Sequence, residues 1–363
     1  NPSIKKFFQK AKNFWKNKRV LITGDTGFKG SWLALALSGV GAKIQGLSSS
    51  KFNGNNDFYD ALEVQKISHT VDLDIRDLTG MLEVCKNFQP EVVFHLAAQA
   101  LVRESYLDPV TTYDVNVMGT LNVLEAVRKT DSVEAAILIT TDKCYENQEW
   151  DWGYRETDHI GGYDPYSSSK GCAEILIQSY QRSFFNDLSS SPGVSSVRAG
   201  NVIGGGDFSQ DRLIPDLYRA ITSKKNLLLR NPNATRPWQH VLESLSGYIT
   251  VAEDLSVSGA SKNNSWNFGP HITDIRSVQS VSQLFCSSWG CGDILEYENI
   301  ANPPHEAGSL SLDISKAFFQ LGWSPQWTLE EAIQKTANLY RLYFEEGDCF
   351  SECSSQIAEY FDK

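Results

Sequence analysis

Two short runs in this chain hold residues whose types and spacing can do chemistry. Thr140-Thr141-Asp142-Lys143-Cys144-Tyr145 follows a strongly apolar segment, Ala135 to Ile139, and Tyr166-Ser167-Ser168-Ser169-Lys170 stands one helix-loop unit later. A tyrosine four residues before a lysine shares a helix face with it. A cation beside a phenol stabilises the phenolate, so a pKa of about 10 falls toward the working range. Tyr166 can then take the proton of an alcohol while hydride leaves the same carbon, and Thr141 can hydrogen-bond that alcohol. Asp142 and Lys143 offer an acid and a potential base for further chemistry on the resulting ketone. As an acid, Asp142 must be protonated, which calls for burial. As a base, Lys143 must be neutral; as a cation it would stabilise an enolate instead. The plain alternatives are two surface residues on a helix and a surface acid-base pair after a strand. The order of the motifs favours an enzyme that oxidises its substrate and then acts on it again.

These side chains need a frame. Lys18 to Thr23 reads as a buried strand, and Gly24-Asp25-Thr26-Gly27-Phe28-Lys29-Gly30 follows it directly, before an apolar helix over Ser31 to Ser38. Glycines there let the backbone approach a pyrophosphate at a helix N-terminus, so the loop reads as a dinucleotide site rather than an ordinary turn. Further strands are expected over Ala42 to Leu47, Val71 to Ile75, Glu91 to Ala97 and Ala135 to Ile139. Helices are expected over Leu78 to Phe88, Asn116 to Lys129 and Ser168 to Phe184, and Ser48 to Asp57 reads as a loop. Such alternation predicts an α/β fold: a Rossmann-type, doubly wound parallel sheet with ligands at the carboxyl ends of its strands. After Arg198 the texture becomes irregular, with Gly204-Gly205-Gly206 and Pro215, Pro232 and Pro237; a helix returns over Leu329 to Phe344. The expected organisation is an NAD-binding Rossmann domain over residues 1–200, with a return segment at 237–272. Residues 201–363 mainly form a smaller C-terminal substrate-binding lobe, with the site in the cleft between the two.

The second strand ends in Gly46-Leu47-Ser48-Ser49-Ser50-Lys51, with neither a carboxylate to mark NAD nor an arginine to mark NADP. Ser48 can bond a ribose hydroxyl or a 2′-phosphate, and Lys51 can assist the latter. Asp74 and Ile75 are placed to hold an adenine, or simply to cap a strand end.

Composition narrows the partners. Of 363 residues, 41% are hydrophobic and 21% charged, as in ordinary globular proteins, and the formal net charge is −11. That charge argues against nucleic acid or an anionic membrane as partner, and no apolar run is long enough to span a bilayer. Asn1 to Lys18 is basic and aromatic without an apolar core, so it reads as an amphipathic helix packed on the domain and not as a secretory signal. The seven cysteines form no CxxC pair. Cys349 and Cys353, the nearest to a metal pair, have no histidine close in sequence, so free thiols in a reducing cytoplasm and no metal are expected.

Longer blocks make the chain resemble the extended short-chain dehydrogenase/reductase family and, within it, the CDP-glucose 4,6-dehydratases. They are GDTGFKGSWL (24–33), FHLAAQALVR (94–103), NVMGT (116–120), TTDKCYENQEWDWGYRE (140–156), GGYDPYSSSKGCAE (161–174), RAGNVIGGGDF (198–208), DRLIPD (211–216), RNPNATRPWQHVLE (230–243), WNFGP (266–270) and PHEAGSLSLD (304–313). The resemblance covers Lys18 to about Trp327, and the block at 140–156 is its most specific part. It implies a hydro-lyase that converts CDP-glucose to CDP-4-dehydro-6-deoxyglucose and water, with NAD tightly bound and regenerated in each turnover. It implies Thr141, Asp142, Lys143, Tyr166 and Lys170 as catalytic residues. Related dTDP-glucose enzymes carry a glutamate where this chain has Lys143. The implied cofactor contacts are Gly24, Thr26, Gly27, Phe28, Lys29, Gly30, Ser48, Asp74, Ile75, Leu96, Ala97, Ala98, Asn116, Tyr166 and Lys170. The implied substrate contacts are Gln99, Arg103, Asn201, Arg212, Leu213, Ile214, Pro215, Arg230 and Arg236. Forked arginine donors suit a diphosphate, although each arginine alone also suits a surface ion pair. His240, His305 and Glu306 lie in these blocks too, where a structural role serves as well. Pairing of the helices Asn116 to Lys129 and Ser168 to Phe184 implies a homodimer or homotetramer.

Two other functions use similar parts. A nucleotide-sugar 4-epimerase shares the glycine loop and the dyad but needs no acid-base pair after Thr141. A dinucleotide-sensing regulator needs neither Tyr166 nor Lys170.

Overall fold

The computed structural model describes residues 13–50, 57–188, 190–229, 231–297 and 308–362. Most of the expected N-terminal amphipathic segment, together with Lys51, Arg230, His305 and Glu306, lies outside the described residues. Trp15, at the end of that segment, is buried, and its indole N–H donates to Glu253 Oε1 at 2.7 Å.

Seven strands form one parallel sheet: β1 (Arg19–Thr23), β2 (Lys43–Ser48), β3 (Ser68–Asp72), β4 (Val92–His95), β5 (Ala135–Ile139), β6 (Gly193–Ala199) and β7 (Asn264–Phe268). Their spatial order is β7-β6-β5-β4-β1-β2-β3. The order reverses between β1 and β4, which opens a crevice at their carboxyl ends. Alternate residues feed opposite faces. Val20, Ile22, Phe94 and Ile137 pack with Trp32, Leu33, Leu242 and Leu245 on one side, and Leu21, Val93, Ala136 and Leu138 pack with Met81, Leu124 and Ile177 on the other.

Several elements depart from the sequence expectation. β3 runs Ser68–Asp72, three residues earlier than Val71 to Ile75, because its ladder with β2 pairs Ile44 with Ser68 and Ser48 with Asp72. Ile75 instead fills the core on the far side of the turn. The helix expected from Asn116 begins at Pro109, where Asp108 accepts from Thr111 N–H, and passes through a π-helical turn at Asp114–Met118 into Gly119–Arg128. A short helix, Asp57–Ala61, follows the stretch read as a loop.

Beyond β6 the chain alternates between the sheet and a smaller lobe. The helix Val241–Ser258 and β7 return to the sheet. Ile214, Trp238, Phe285, Leu329, Ile333 and Tyr340 form a separate core, built from the helices Leu213–Thr222, Val278–Trp289 and Leu329–Phe344.

Candidate active site

A cavity of about 2690 Å³ runs along the carboxyl ends of the strands and under the smaller lobe. Its first end is the glycine loop. Gly24 takes φ +76°, and a Cβ there would stand 2.8 Å from Ala97 N, so the loop lies tight against the end of β4. Gly27 caps the helix Phe28–Gly39 with no side-chain bond, leaving backbone N–H groups for an anion. Thr26 Oγ1 is buried and without a partner. A bare helix N-terminus, an orphaned hydroxyl and a side-chain-free approach together fit a dinucleotide pyrophosphate. Leu96, Ala97 and Ala98 line the next part of the cavity, and Ser48, Asp74 and Ile75 line the far end with Phe58 and Tyr59 from the short helix. The Arg76 guanidinium bridges Asp74 and Asp114, at 2.6 and 2.9 Å.

The reactive side chains meet at the end of β5. Tyr166 and Lys170 sit in the first turns of the helix Pro165–Ser183, which Asp164 caps by accepting from Ser167 N–H at 2.9 Å. Both face the cavity and both are buried. Thr141 lies beside the Tyr166 phenol and pulls its pKa down, while its hydroxyl donates to Asp142 Oδ1 at 3.0 Å. The sequence predicts a phenol drawn down by Lys170; in the folded chain burial has the opposite effect. Burial pushes the phenol up to about 12, against the pull of Thr141 and of Arg212's charge. Burial also brings the Lys170 amine down to about 8, and its Nζ donates to the Ile139 carbonyl at 3.2 Å. Removal from water outweighs the favourable partners of each group, Thr141 and Arg212 for the phenol and Glu174 and Cys144 for the amine.

Asp142 is 2% exposed, and its Oδ2 has no partner. Burial raises its pKa, with Lys143, Thr141, Arg236 and Lys29 pulling the other way. Lys143 is half-buried and lines the cavity, its backbone N–H donating to Thr141 Oγ1 at 3.3 Å. Lys29, from the glycine loop, also reaches this centre, with its Nζ 3.4 Å from the Tyr248 hydroxyl. Burial, aided by Arg212, brings its amine down to about 7.

Asn201, Arg212, Leu213, Ile214, Pro215 and Arg236 line the cavity from the other lobe. Arg212 pairs with buried Asp207 at 2.9 Å. Arg236 is buried and donates to the Thr235 carbonyl at 2.8 Å. Arg103 stands at the mouth, where it meets Asp211 at 2.9 Å. Gln99 lines the cavity, but its amide is engaged by Leu101 and Thr112. Asn116, expected at the cofactor, does not line the cavity. Its Oδ1 accepts from Gln99 N–H, and its Nδ2 donates to Gln99 O and Ser169 Oγ, all at 2.9 Å, tying the end of β4 to the Tyr166 helix.

Sequence reasoning missed the support beneath the site. Arg198 and Glu174, both fully buried, pair at 2.6 Å. Glu174 accepts from Thr140, and Arg198 donates to the Tyr145 hydroxyl at 2.6 Å. The pair thereby holds the residues on either side of Thr141-Asp142-Lys143. Two charges in apolar surroundings were the available signal: Arg198 ends a buried strand, and Glu174 stands four residues after Lys170.

A family model described as GDP-mannose 4,6 dehydratase matches residues 21–336. The chain belongs to that family. Among curated relatives, the CDP-glucose 4,6-dehydratase of Salmonella typhimurium is 44% identical over 354 residues, which is 96% of this chain and 98% of that protein. Solved structures share the dehydratase fold. The dTDP-glucose 4,6-dehydratase of Streptomyces venezuelae, solved with NAD, has a TM-score of 0.78 at 21% identity, covering 92% of this chain and 99% of its own. The UDP-glucose 4-epimerase of Brucella ovis, also with NAD, has a TM-score of 0.77 at 22% identity, covering 89% and 98%.

Proposed function

We propose that this dehydratase-family chain converts CDP-glucose to CDP-4-dehydro-6-deoxyglucose and water, with NAD held through the turnover. The observation that carries the proposal is Asp142: a buried carboxyl with a raised pKa and one free oxygen, its other oxygen accepting from Thr141 beside Tyr166. An oxidoreductase or epimerase has no use for a protonated acid there; an elimination does. The Salmonella typhimurium relative supports the choice of nucleotide sugar.

NAD, when bound, supplies a hydride acceptor for C4 and returns the hydride to C6. Tyr166 takes the proton of the C4 hydroxyl, held in place by Thr141. Lys143 removes the proton at C5, acidified by the new ketone, Asp142 protonates the departing C6 hydroxyl, and Lys143 returns a proton to C5 as the hydride reaches C6. Gly24, Thr26, Gly27 and the backbone of Phe28 and Lys29 hold the pyrophosphate. Arg212 and Arg236 serve the sugar diphosphate, and Leu213, Ile214 and Pro215 flank the base.

Purified protein given CDP-, dTDP-, UDP- or GDP-glucose without added cofactor tests the proposal. Loss of one water from CDP-glucose, faster than from the other three, is expected. Turnover with unchanged mass would reassign the chain as an epimerase, and dinucleotide binding without turnover would make it a sensor.

The reading extends to assembly and location. Leu107, Val110, Ile175 and Phe184 are at least half exposed on helices beside the Tyr166 helix or within it. Exposed apolar side chains on neighbouring helices favour burial against a second copy, so the active form is a homo-oligomer built on a dimer through this face. Val110→Glu with Ile175→Glu should halve the mass read by light scattering; an unchanged mass rejects the face. The described cysteines are all free, and no helix among the described residues is long and apolar enough to cross a membrane. Both fit a cytoplasmic enzyme.

A further inference from the structure

β2 ends without the carboxylate that usually receives the adenosine ribose of NAD. The structure brings a carboxylate there from a different element. Asp25, in the glycine loop, is fully buried, and its side chain occupies the space over Gly46 of β2, where a Cβ would fall 1.8 Å from Asp25 Oδ2. Only a residue without a side chain leaves room for it. Ser48 Oγ donates to Asp25 Oδ1 at 2.8 Å, Thr70 Oγ1 to Oδ2 at 2.5 Å, and Ser68 Oγ to Oδ2 at 3.4 Å. Three hydroxyls converging on two oxygens suit an ionised carboxylate, which only accepts. Burial raises the Asp25 pKa, and the three hydroxyls oppose that rise.

Ser48 has a single hydroxyl proton, and Asp25 takes it. Its oxygen also lies 3.4 Å from Thr26 N–H, and one lone pair is left over. Ser48 lines the far end of the cavity, where this fold places the adenosine ribose. We propose that Asp25, acting through Ser48, sets the preference for a dinucleotide with a free ribose 2′-hydroxyl. With its proton committed, Ser48 presents an acceptor. A ribose hydroxyl can donate to it, whereas a 2′-phosphate meets a lone pair with a buried negative charge behind it. The described lining of this end, Ser48, Ser49, Phe58, Tyr59, Leu73 and Asp74, contains no cation to offset that repulsion. Asp25 is thus a positioning residue, and it does from the glycine loop what a carboxylate at the end of β2 does elsewhere.

The inference rests on reading this cavity as a dinucleotide site, and the test separates the two. The full chain is freed of copurified nucleotide and equilibrated with equimolar NAD and NADP, and the bound nucleotide is quantified by native mass spectrometry. Wild type should retain NAD. Asp25→Asn offers Ser48 an amide donor and releases its proton toward the ligand, so the NAD:NADP ratio should fall about tenfold or more. Ser48→Ala should lower the ratio similarly, and it carries the test alone if Asp25→Asn does not fold. Ratios equal to wild type in the folded variants overturn the proposal, as does a wild type that retains both nucleotides equally. Retention of neither by wild type would instead sink the dinucleotide site itself.

Discussion

The protonation states of four side chains decide what this site can do. Asp142 is raised by burial and has an oxygen free to face a leaving group, which suits general acid catalysis. Asp142→Asn keeps the shape and removes the proton, so turnover should fall about 10²–10⁴-fold. Oxidation at C4 does not need this acid, so the variant should accumulate a 4-ketone that keeps its C6 hydroxyl, detectable by mass after borodeuteride trapping. A variant that eliminates water at the wild-type rate would remove Asp142 from the mechanism. Lys143 is tested by the hydrogen it moves. Lys143→Met should abolish solvent-deuterium incorporation at C5 while C4 oxidation persists, and exchange at the normal rate would transfer the base role elsewhere. The types and order of these residues were legible in the sequence because the chemistry dictates them. Their ionisation was not: Tyr166 is pushed up to about 12 and Lys170 down to about 8 by burial, and burial is a property of the fold rather than of a motif.

At the scale of elements, the turn after β5 is held by what lies under it. Glu174 on the Tyr166 helix and Arg198 on β6 form a buried pair, one anchoring Thr140 and the other Tyr145. Burial would raise Glu174, but the Arg198 charge holds it below the ordinary carboxylate range. Removing one member of such a pair leaves an uncompensated charge. Glu174→Gln should therefore cost about 3–5 kcal/mol in urea denaturation. Tyr145→Phe is milder, leaving Asn267 Oδ1 and Arg198 each short of one bond, at about 1–3 kcal/mol. If the clamp positions Asp142, Tyr145→Phe should also slow elimination more than C4 oxidation; equal slowing of both would reduce it to a stability element. The sequence could not reveal this pairing, because its members come from a helix and a strand that meet only when the helix packs on β6. The same limit explains β3: Leu73 and Ile75 look like strand residues, but pairing with β2 ends the strand at Asp72. Helix starts were misplaced where a cap lay upstream of the apolar run, as with Asp108 and Asp164.

At the scale of the whole molecule, two buried histidines tie the site and both lobes to pH. His95, at the end of β4, stands between Thr23 and Thr120. Thr120 donates to the Asn116 carbonyl, so His95 Nε2 must donate to Thr120, and Nδ1 must accept from Thr23. His240 caps the helix Val241–Ser258 by accepting from Leu242 N–H, wedged between Trp32 and Trp327 of the sheet-side core, Trp327 standing just before the lobe helix Leu329–Phe344. Each ring uses a nitrogen as acceptor, and neither has room for a charge. Burial, with Lys170 near His95 and Lys335 near His240, brings both from an ordinary 6.5 down to about 3. Between those values the unfolded chain binds protons that the folded chain refuses, so stability falls as pH falls from about 6.5. The limiting slope is about 1.4 kcal/mol per pH unit for each histidine. Urea denaturation between pH 6.5 and 5, above most carboxylate titration, should show the loss. His240→Gln, with no titrating ring, should be less stable at neutral pH yet show a clearly shallower acid slope. A variant slope equal to that of wild type would mean that His240 is protonated in the folded protein and that the junction between the lobes accommodates its charge.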